Sequence, residues 1–271
     1  MPGSAAGAAF YRRPAAWQIA ALALCWSEPV AAETVRRGVV SAAIDGDTVL
    51  LESGAEVRLV GIQAPKLALG RAGFRDWPLA AEARKALETL VRGAPVKLVY
   101  GGRRVDRHRR LLAHLEREPT PRRAALWIQG ELLRRGLARV YTFPDNRSRA
   151  ERMLALEREA RAARRGIWRL RYYRVLGPEE TRRYIGSFRL VEGRVLDAAV
   201  VRGKGFLNFG PDWRTDFTIS VARKYRRRFR RAGIDIEALA GRRVRVRGWL
   251  AWQNGPMIEA THPEQLEAIE P

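Results

Sequence analysis

The sequence predicts a mainly β protein with interspersed helices, an α+β chain folded in two parts. Three observations carry this. Short apolar runs rich in β-branched residues recur between turn residues from Val35 to Val60 and again from Phe188 to Ala260. Helical spacing of apolar residues appears three times between those stretches. A basic, aromatic connector from Arg169 to Thr181 then divides the 271 residues into two pieces, each able to bury a core of its own.

Taken in order, Val39-Val40, Val49 to Leu51 and Val57 to Val60 read as strands, with Ser53-Gly54 as a turn. Residues 67–77, rich in Gly, Arg and aromatics, read as a loop. Pro78 is suited to open a helix whose Ala83, Leu87, Leu90 and Val91 share one face, ending at Gly93. Val96 to Tyr100 and Leu111 to Leu115 are further strands, and Gln129 to Gly136 is a short helix. Ser148 and Glu151 have capping-box spacing and open a longer helix through Met153, Leu156, Ala160 and Ala163, stopped at Gly166. Met153 and Leu156 read as core.

The second half reads as strands Phe188 to Leu196, Gly205 to Phe209 and Asp216 to Val221, a helix Lys224 to Ala232, and strands Val244 to Leu250 and Met257 to Ala260. Three strands, a helix and two strands resemble the order of an OB-fold, a small nucleic-acid-binding barrel. Phe209 and Phe217 are expected in its core. The organisation expected is 1–32 as a leader, 33–170 as a first domain, 171–185 as a linker and 186–271 as a second domain.

The formal charge is +22, from 51 Lys and Arg against 29 Asp and Glu, so the field of the whole chain draws polyanions. Only Lys66, Lys85, Lys97, Lys204 and Lys224 are lysines. An arginine bias suits bidentate phosphate contacts, although base composition alone can produce it.

The opening residues read as an export signal. Arg12 and Arg13 precede an apolar stretch from Ala15 to Trp26, and Val30-Ala31-Ala32 offers small residues for cleavage. The stretch is shorter than the roughly 20 residues of a membrane span. Cleavage after Ala32 removes Cys25, the single cysteine. The expected protein is therefore exported, periplasmic or secreted, without a stable membrane span or a disulfide.

The chemistry concentrates in two stretches. Ile44-Asp45-Gly46-Asp47-Thr48 sets two carboxylates around a glycine at a strand end, where oxygen ligands can meet a hard cation. Val57-Arg58-Leu59 places a guanidinium inside a strand, a fork of donors suited to phosphate. With Asp106 to Arg110, Gly136 to Tyr141 and Gly166-Ile167-Trp168, these motifs resemble the staphylococcal nuclease (thermonuclease) family over about Val35 to Leu170. The resemblance implies a five-stranded OB-type barrel with three helices, and a calcium-dependent phosphodiesterase acting on DNA and RNA.

On that resemblance, Asp47 corresponds to the metal carboxylate, Asp45 to a supporting acid with Thr48 beside it, and Ala64 to a backbone carbonyl ligand. Arg58 and Arg110 correspond to the arginines that clamp the reacting phosphate. Two positions depart. Gln63 stands in place of a second metal carboxylate, and Lys66 in place of the glutamate that activates water. Arg109 also replaces a glycine. Together the first two changes make the pocket three charge units more positive. An ammonium about 5 Å from a cation costs on the order of 3 kcal/mol per unit charge at an effective dielectric near 20, and twice that for a divalent ion. Calcium is expected to bind weakly or not at all, while Lys66 is expected to join Arg58 and Arg110 in holding a phosphate. A metal-free route would need Lys66 or His108 as base. His108 and His114 otherwise read as surface residues, and His262 as structural or solvated.

In the second half, Phe206, Phe209, Trp213, Trp249 and Trp252 are candidates for stacking on bases, with Trp213 and Trp252 expected to be exposed. Arg226, Arg227, Arg228 and Arg230 lie on a helix anchored by Tyr225 and Phe229 and are expected to touch polyanion. Asn208, Arg214 and Asp216 surround Trp213 as a polar cluster. Three readings follow: a polyanion binder that no longer cuts nucleic acid (single strands by preference), an active nuclease with altered metal use, and a protein docking on acidic envelope polymers.

Overall fold

An Asp-Gly-Asp hairpin begins the first barrel of the computed structural model, which describes residues 34–269. The expected export signal, its cleavage point near Ala32 and Cys25 lie outside those residues. Strand β1 (Thr34–Asp45) turns into β2 (Thr48–Leu51), then β3 (Glu56–Leu59) and β4 (Gly61–Gln63). Helix α1 (Ala80–Val91) leads to β5 (Pro95–Tyr100), β6 (Leu111–Arg117) and β7 (Leu126–Trp127). Helix α2 (Ile128–Arg134), β8 (Arg139–Tyr141) and helix α3 (Ala150–Ala162) complete this part.

The order β3-β2-β1-β5-β6, with β3 also paired to β6, closes five strands into a barrel. Alternating Val40, Val49, Leu51, Val57, Leu59 and Leu98 fill it, and α1, α2 and α3 cover its sides through Leu87, Leu132 and Met153. Strand β3 pairs in parallel with β6, Arg58 opposite Leu112. Side chains alternate with period two, so Arg110, two residues before Leu112, falls on the face of Arg58. This register makes neighbours of two arginines 52 positions apart in sequence.

The second part has β9 (Phe188–Arg194), β10 (Asp197–Val201), β11 (Lys204–Asn208) and β12 (Thr218–Val221), then helix α4 (Arg223–Arg231). It ends with β13 (Arg243–Trp249), β14 (Ala251–Trp252), β15 (Pro256–Glu259) and β16 (Leu266–Ile269). One sheet runs β10-β11-β12-β15-β14 and the other β16-β13-β9. Because β9 continues into β10 and β13 into β14, the two sheets are one closed circuit, with β12 and β15 parallel. That circuit is the OB topology. Phe217 is buried in its core, while Phe209 is only partly covered.

Three local expectations are corrected. No capping box forms at Ser148: Arg149 is the residue before α3, with no side-chain cap, and the Ser148 hydroxyl lies 3.1 Å from His114 Nε2. Pro78 does not open α1, because Leu79 intervenes in a left-handed conformation at φ 66° and the helix starts at Ala80. Strands β10 and β16 were hidden in the sequence, where Ala198-Ala199 and Glu267-Ala268 have low intrinsic strand preference.

The barrels are fastened to each other. Arg247 on β13, 1% exposed, pairs with Glu157 on α3 at 2.9 Å and with Glu267 at 2.5 Å. Arg147 pairs with Glu264 at 2.7 Å, and Thr142 Oγ1 lies 2.8 Å from His262 Nε2. Residues 171–185 pack as short 3-10 turns rather than hanging free. Buried Tyr173 donates from its hydroxyl to the Pro78 carbonyl, 2.8 Å away, and shares a core with Ile167 and Phe188. Among the described residues no helix is long and apolar enough to cross a membrane.

Candidate functional site

The turn between β1 and β2 brings the two carboxylates inward. The Asp47 backbone N–H donates to Asp45 Oδ1 at 2.9 Å, an aspartate turn that locks the first side chain over the second. Gly46 is required there by space: a Cβ would lie 2.6 Å from the Ala64 Cβ and 2.8 Å from the Ala83 Cβ. Asp47 is wholly buried and Asp45 is 7% exposed.

Buried carboxylates need partners, and these have them. The Lys66 ammonium donates to Asp45 Oδ2 at 3.0 Å and to Asp47 Oδ1 at 2.5 Å. Asp47 Oδ2 accepts the Ala64 N–H at 2.7 Å and faces Arg58 Nη2 at 3.1 Å. Two carboxylates therefore meet two cations, and the cluster is neutral without a further ion. Burial disfavours the charge on Asp45, but Lys66 and Arg58 outweigh it and hold the pKa down to about 2. Complete burial drives Asp47 the other way, upward, with Arg58 and Lys66 opposing.

This arrangement corrects the expected place of Lys66. Its ammonium belongs to the acidic turn and does not line the arginine cavity, because two carboxylates within hydrogen-bonding distance hold it. Gln63 is also turned away. Its Oε1 accepts from Arg139 Nε at 3.0 Å and Nη2 at 2.6 Å. Arg139 is buried among aromatics, its guanidinium carbon 4.7 Å from the Phe188 ring centre, and burial pushes its pKa down to about 10.

Calcium takes six to eight oxygen ligands. Here two carboxylates face an ammonium and the third oxygen faces a guanidinium, and no cluster of three or more His, Cys, Asp or Glu suited to a metal occurs among the described residues. As arranged, these donors do not fit that ion.

Arg58 is anchored more than its sequence context implied. Nη1 donates to the carbonyls of Leu59 at 2.7 Å and Asp47 at 3.2 Å, and Nη2 to that of Ile62 at 2.8 Å. Arg110 is oriented by Asp106, whose Oδ2 receives Nε at 2.8 Å and Nη2 at 2.7 Å. Both arginines line a cavity of about 560 Å³, together with Arg103, Arg107 and His108. Phe143 and Tyr141 reach it from the first barrel and Trp249 from the second. Asp106 and Asp145 are the acids in its wall.

His108 is exposed, as expected, but His114 is not a surface residue. It is fully buried beside Ser148 and edge-on to Trp127, and burial, with Arg149, drives its pKa down to about 3. His262 is structural, buried at the seam between barrels.

On the second barrel, Trp213 and Trp252 are half-exposed at 51% and 52%, as anticipated. Trp213 lines a separate cavity of about 430 Å³ with Phe206 and Asn208. Arg227 and Arg230 on α4 point to solvent. Arg226 and Arg228 are half-buried and reach the carbonyls of Gly203 and Thr261 at 3.4 and 3.5 Å. Phe229 is fully buried and Tyr225 partly so. The residues anticipated on this barrel thus do not join those of the acidic turn. The sequence reading passed over Arg103, Arg107, Arg139 and Phe143. The alternation Arg139-Val140-Tyr141-Thr142-Phe143 is the signal that puts Arg139, Tyr141 and Phe143 on one strand face.

A closed five-stranded barrel with an arginine-lined cavity at its edge is joined to a second barrel of OB topology, an architecture that in other proteins binds oligonucleotides or oligosaccharides. Residues 56–170 match the family model described as staphylococcal nuclease homologue, which supports a nuclease-like domain over the first barrel. The match starts at β3, and the Asp45–Asp47 turn lies just before it in the same barrel. No curated protein matches the chain.

Proposed function

We propose that this protein holds the phosphodiester backbone of nucleic acid, single-stranded by preference, at its arginine cavity, and cleaves it weakly or not at all with calcium. The observation that carries the proposal is the Lys66 ammonium between Asp45 and Asp47. A divalent ion entering a cluster that is already neutral gains no net charge attraction and must displace the Lys66 ammonium from both carboxylates. Arg58 lines the cavity wall with its charge shared with Asp47, and Arg110, steadied by Asp106, presents itself to the phosphate. Arg227 and Arg230 on the second barrel extend the positive surface.

The proposal includes location and organisation. The basic and apolar opening of the sequence is that of an exported protein released near Ala32, with a nuclease-like domain, a connector at 171–185 and an OB-like domain. The test is a plasmid-nicking and oligonucleotide-binding assay run in parallel with calcium, magnesium, manganese and chelator. Salt-sensitive binding without cleavage is expected. Cleavage with magnesium or manganese that is lost in Asp47→Asn would instead make the protein a nuclease of altered metal use. Binding to acidic polysaccharide in place of nucleic acid would make it an envelope protein.

A further inference from the structure

The cavity holding Arg58 and Arg110 has a wall that its own barrel does not supply. Trp249, at the end of β13, lines it from the second barrel and remains 50% exposed. Its indole Nε1–H donates to the Tyr141 hydroxyl at 2.9 Å. Tyr141 in turn lies edge-on to Phe143 and to Phe188, both with ring centres 4.8 Å away. Phe143, on the other side of Tyr141, is 47% exposed. Tyr141 thus steadies two half-bare rings, one from each barrel, at one cavity.

Each ring is held by the fold at one edge and leaves about half its surface in water at the cavity. The remaining wall is cationic: Arg58, Arg103, Arg107 and Arg110 against Asp106 and Asp145. Half-bare aromatic rings beside an excess of arginine suit a ligand that is an anion at one end and a flat ring at the other. A volume of about 560 Å³ is in the range of small-ligand sites and so takes one nucleotide unit. Bases stacked inside a duplex have no free face to offer such rings, whereas single strands do.

We infer that Trp249 is the base-stacking platform of this cavity, with Phe143 beside it, so that the second barrel completes a single-strand site whose phosphate contacts lie on the first. This rests on the reading that the arginine cavity binds nucleic-acid backbone, and it adds a specific residue and a base-dependent contact. The second barrel is then part of the site and not merely an appended binding module.

The experiment measures fluorescence anisotropy of a short labelled DNA strand, of the same strand made abasic, and of the corresponding duplex, against the full-length protein and its variants. Trp249→Ala should weaken the base-bearing strand about tenfold or more, a typical loss for one stacked base, and change the abasic strand and the duplex less than about twofold. Trp249→Phe, which keeps a ring but cannot donate to Tyr141, should retain most of the single-strand affinity. Arg110→Ala should weaken base-bearing and abasic strands alike.

The inference is overturned if Trp249→Ala leaves the base-bearing strand unchanged. It is equally overturned if both Trp249 variants weaken base-bearing and abasic strands equally, because the residue would then only support the fold. Wild-type protein that binds the abasic strand as tightly as the base-bearing one would refute the platform while sparing the backbone reading. Wild-type protein that binds neither strand would refute both.

Discussion

The Nζ of Lys66 lies 3.0 Å from Asp45 Oδ2 and 2.5 Å from Asp47 Oδ1, so one ammonium bridges both acids of the β1–β2 turn. An isolated carboxylate pair this deeply buried would repel itself and shed a proton-sensitive charge; the bridge makes it a stable element of the barrel. With Lys66 in this place the turn is an internal ion cluster.

Reversal of the two departures should reopen the turn to metal. The double variant Gln63→Asp with Lys66→Glu adds two acids near the turn and removes the competing ammonium. Isothermal titration should detect tighter calcium binding than in the wild type, and thermal stability of the variant should rise with added calcium. A variant that folds yet shows neither response would mean that the position of Lys66 does not govern metal binding.

Loss of the ammonium alone should be costly. Lys66→Met leaves Asp45 and Asp47 with Arg58 as their one remaining cation, and breaking a buried pair in this way costs about 3 kcal/mol. Urea unfolding at neutral pH is the measurement. Part of that loss should be recovered by adding Asp45→Asn, which removes one of the stranded charges.

Binding should depend on Arg110 through charge rather than sequence. Arg110→Ala is expected to lower the slope of log affinity against log salt by about one unit and to weaken different sequences evenly. Arg58→Ala would be a poorer probe, since that side chain also holds the carbonyls of Asp47, Leu59 and Ile62.

Acid should loosen the protein through its two buried histidines. Burial lowers His262 to about 4 and His114 to about 3, both from an ordinary 6.5. The unfolded chain takes up these protons first, so their stabilisation is complete above about pH 6.5 and is lost as pH falls through the folded values. Each pH unit in that window removes up to about 1.4 kcal/mol per histidine. His262→Gln, which cannot titrate, should flatten the urea-denaturation profile between pH 6.5 and 4 by about one proton. An unchanged slope would show that His262 does not contribute.

The join between barrels should behave as a buried ion network. Arg247→Met removes the buried cation between Glu157, which is fully buried and keeps Arg161, and Glu267. A loss of about 3–5 kcal/mol in urea unfolding is expected. The companion variant Arg37→Met, whose pair with Glu118 is largely exposed, should cost far less.

Much of the architecture was legible because local pattern and final burial agree. Val49, Leu51, Val57 and Leu59 alternate in sequence and all lie inside the first barrel, and Phe229 and Phe217 are buried as their spacing implied. Where local chemistry competed with tertiary packing, the reading failed. Ser148 had the spacing of a cap, but its hydroxyl is engaged by buried His114 across the fold. Lys66 had the charge for a phosphate clamp, but not the position.

The sequence by itself determined most of the strand and helix order, the acid turn and the two arginines. Residue type and period are local properties, and they survive in a linear text. The partners of Lys66 and Gln63, the burial of Arg247 and the arrival of Trp249 at the arginine cavity were decided only by tertiary structure. Each depends on closing a barrel or docking two of them, which brings together groups from 19 to 108 positions apart and sets their free energies by contact and burial rather than by neighbours in the chain.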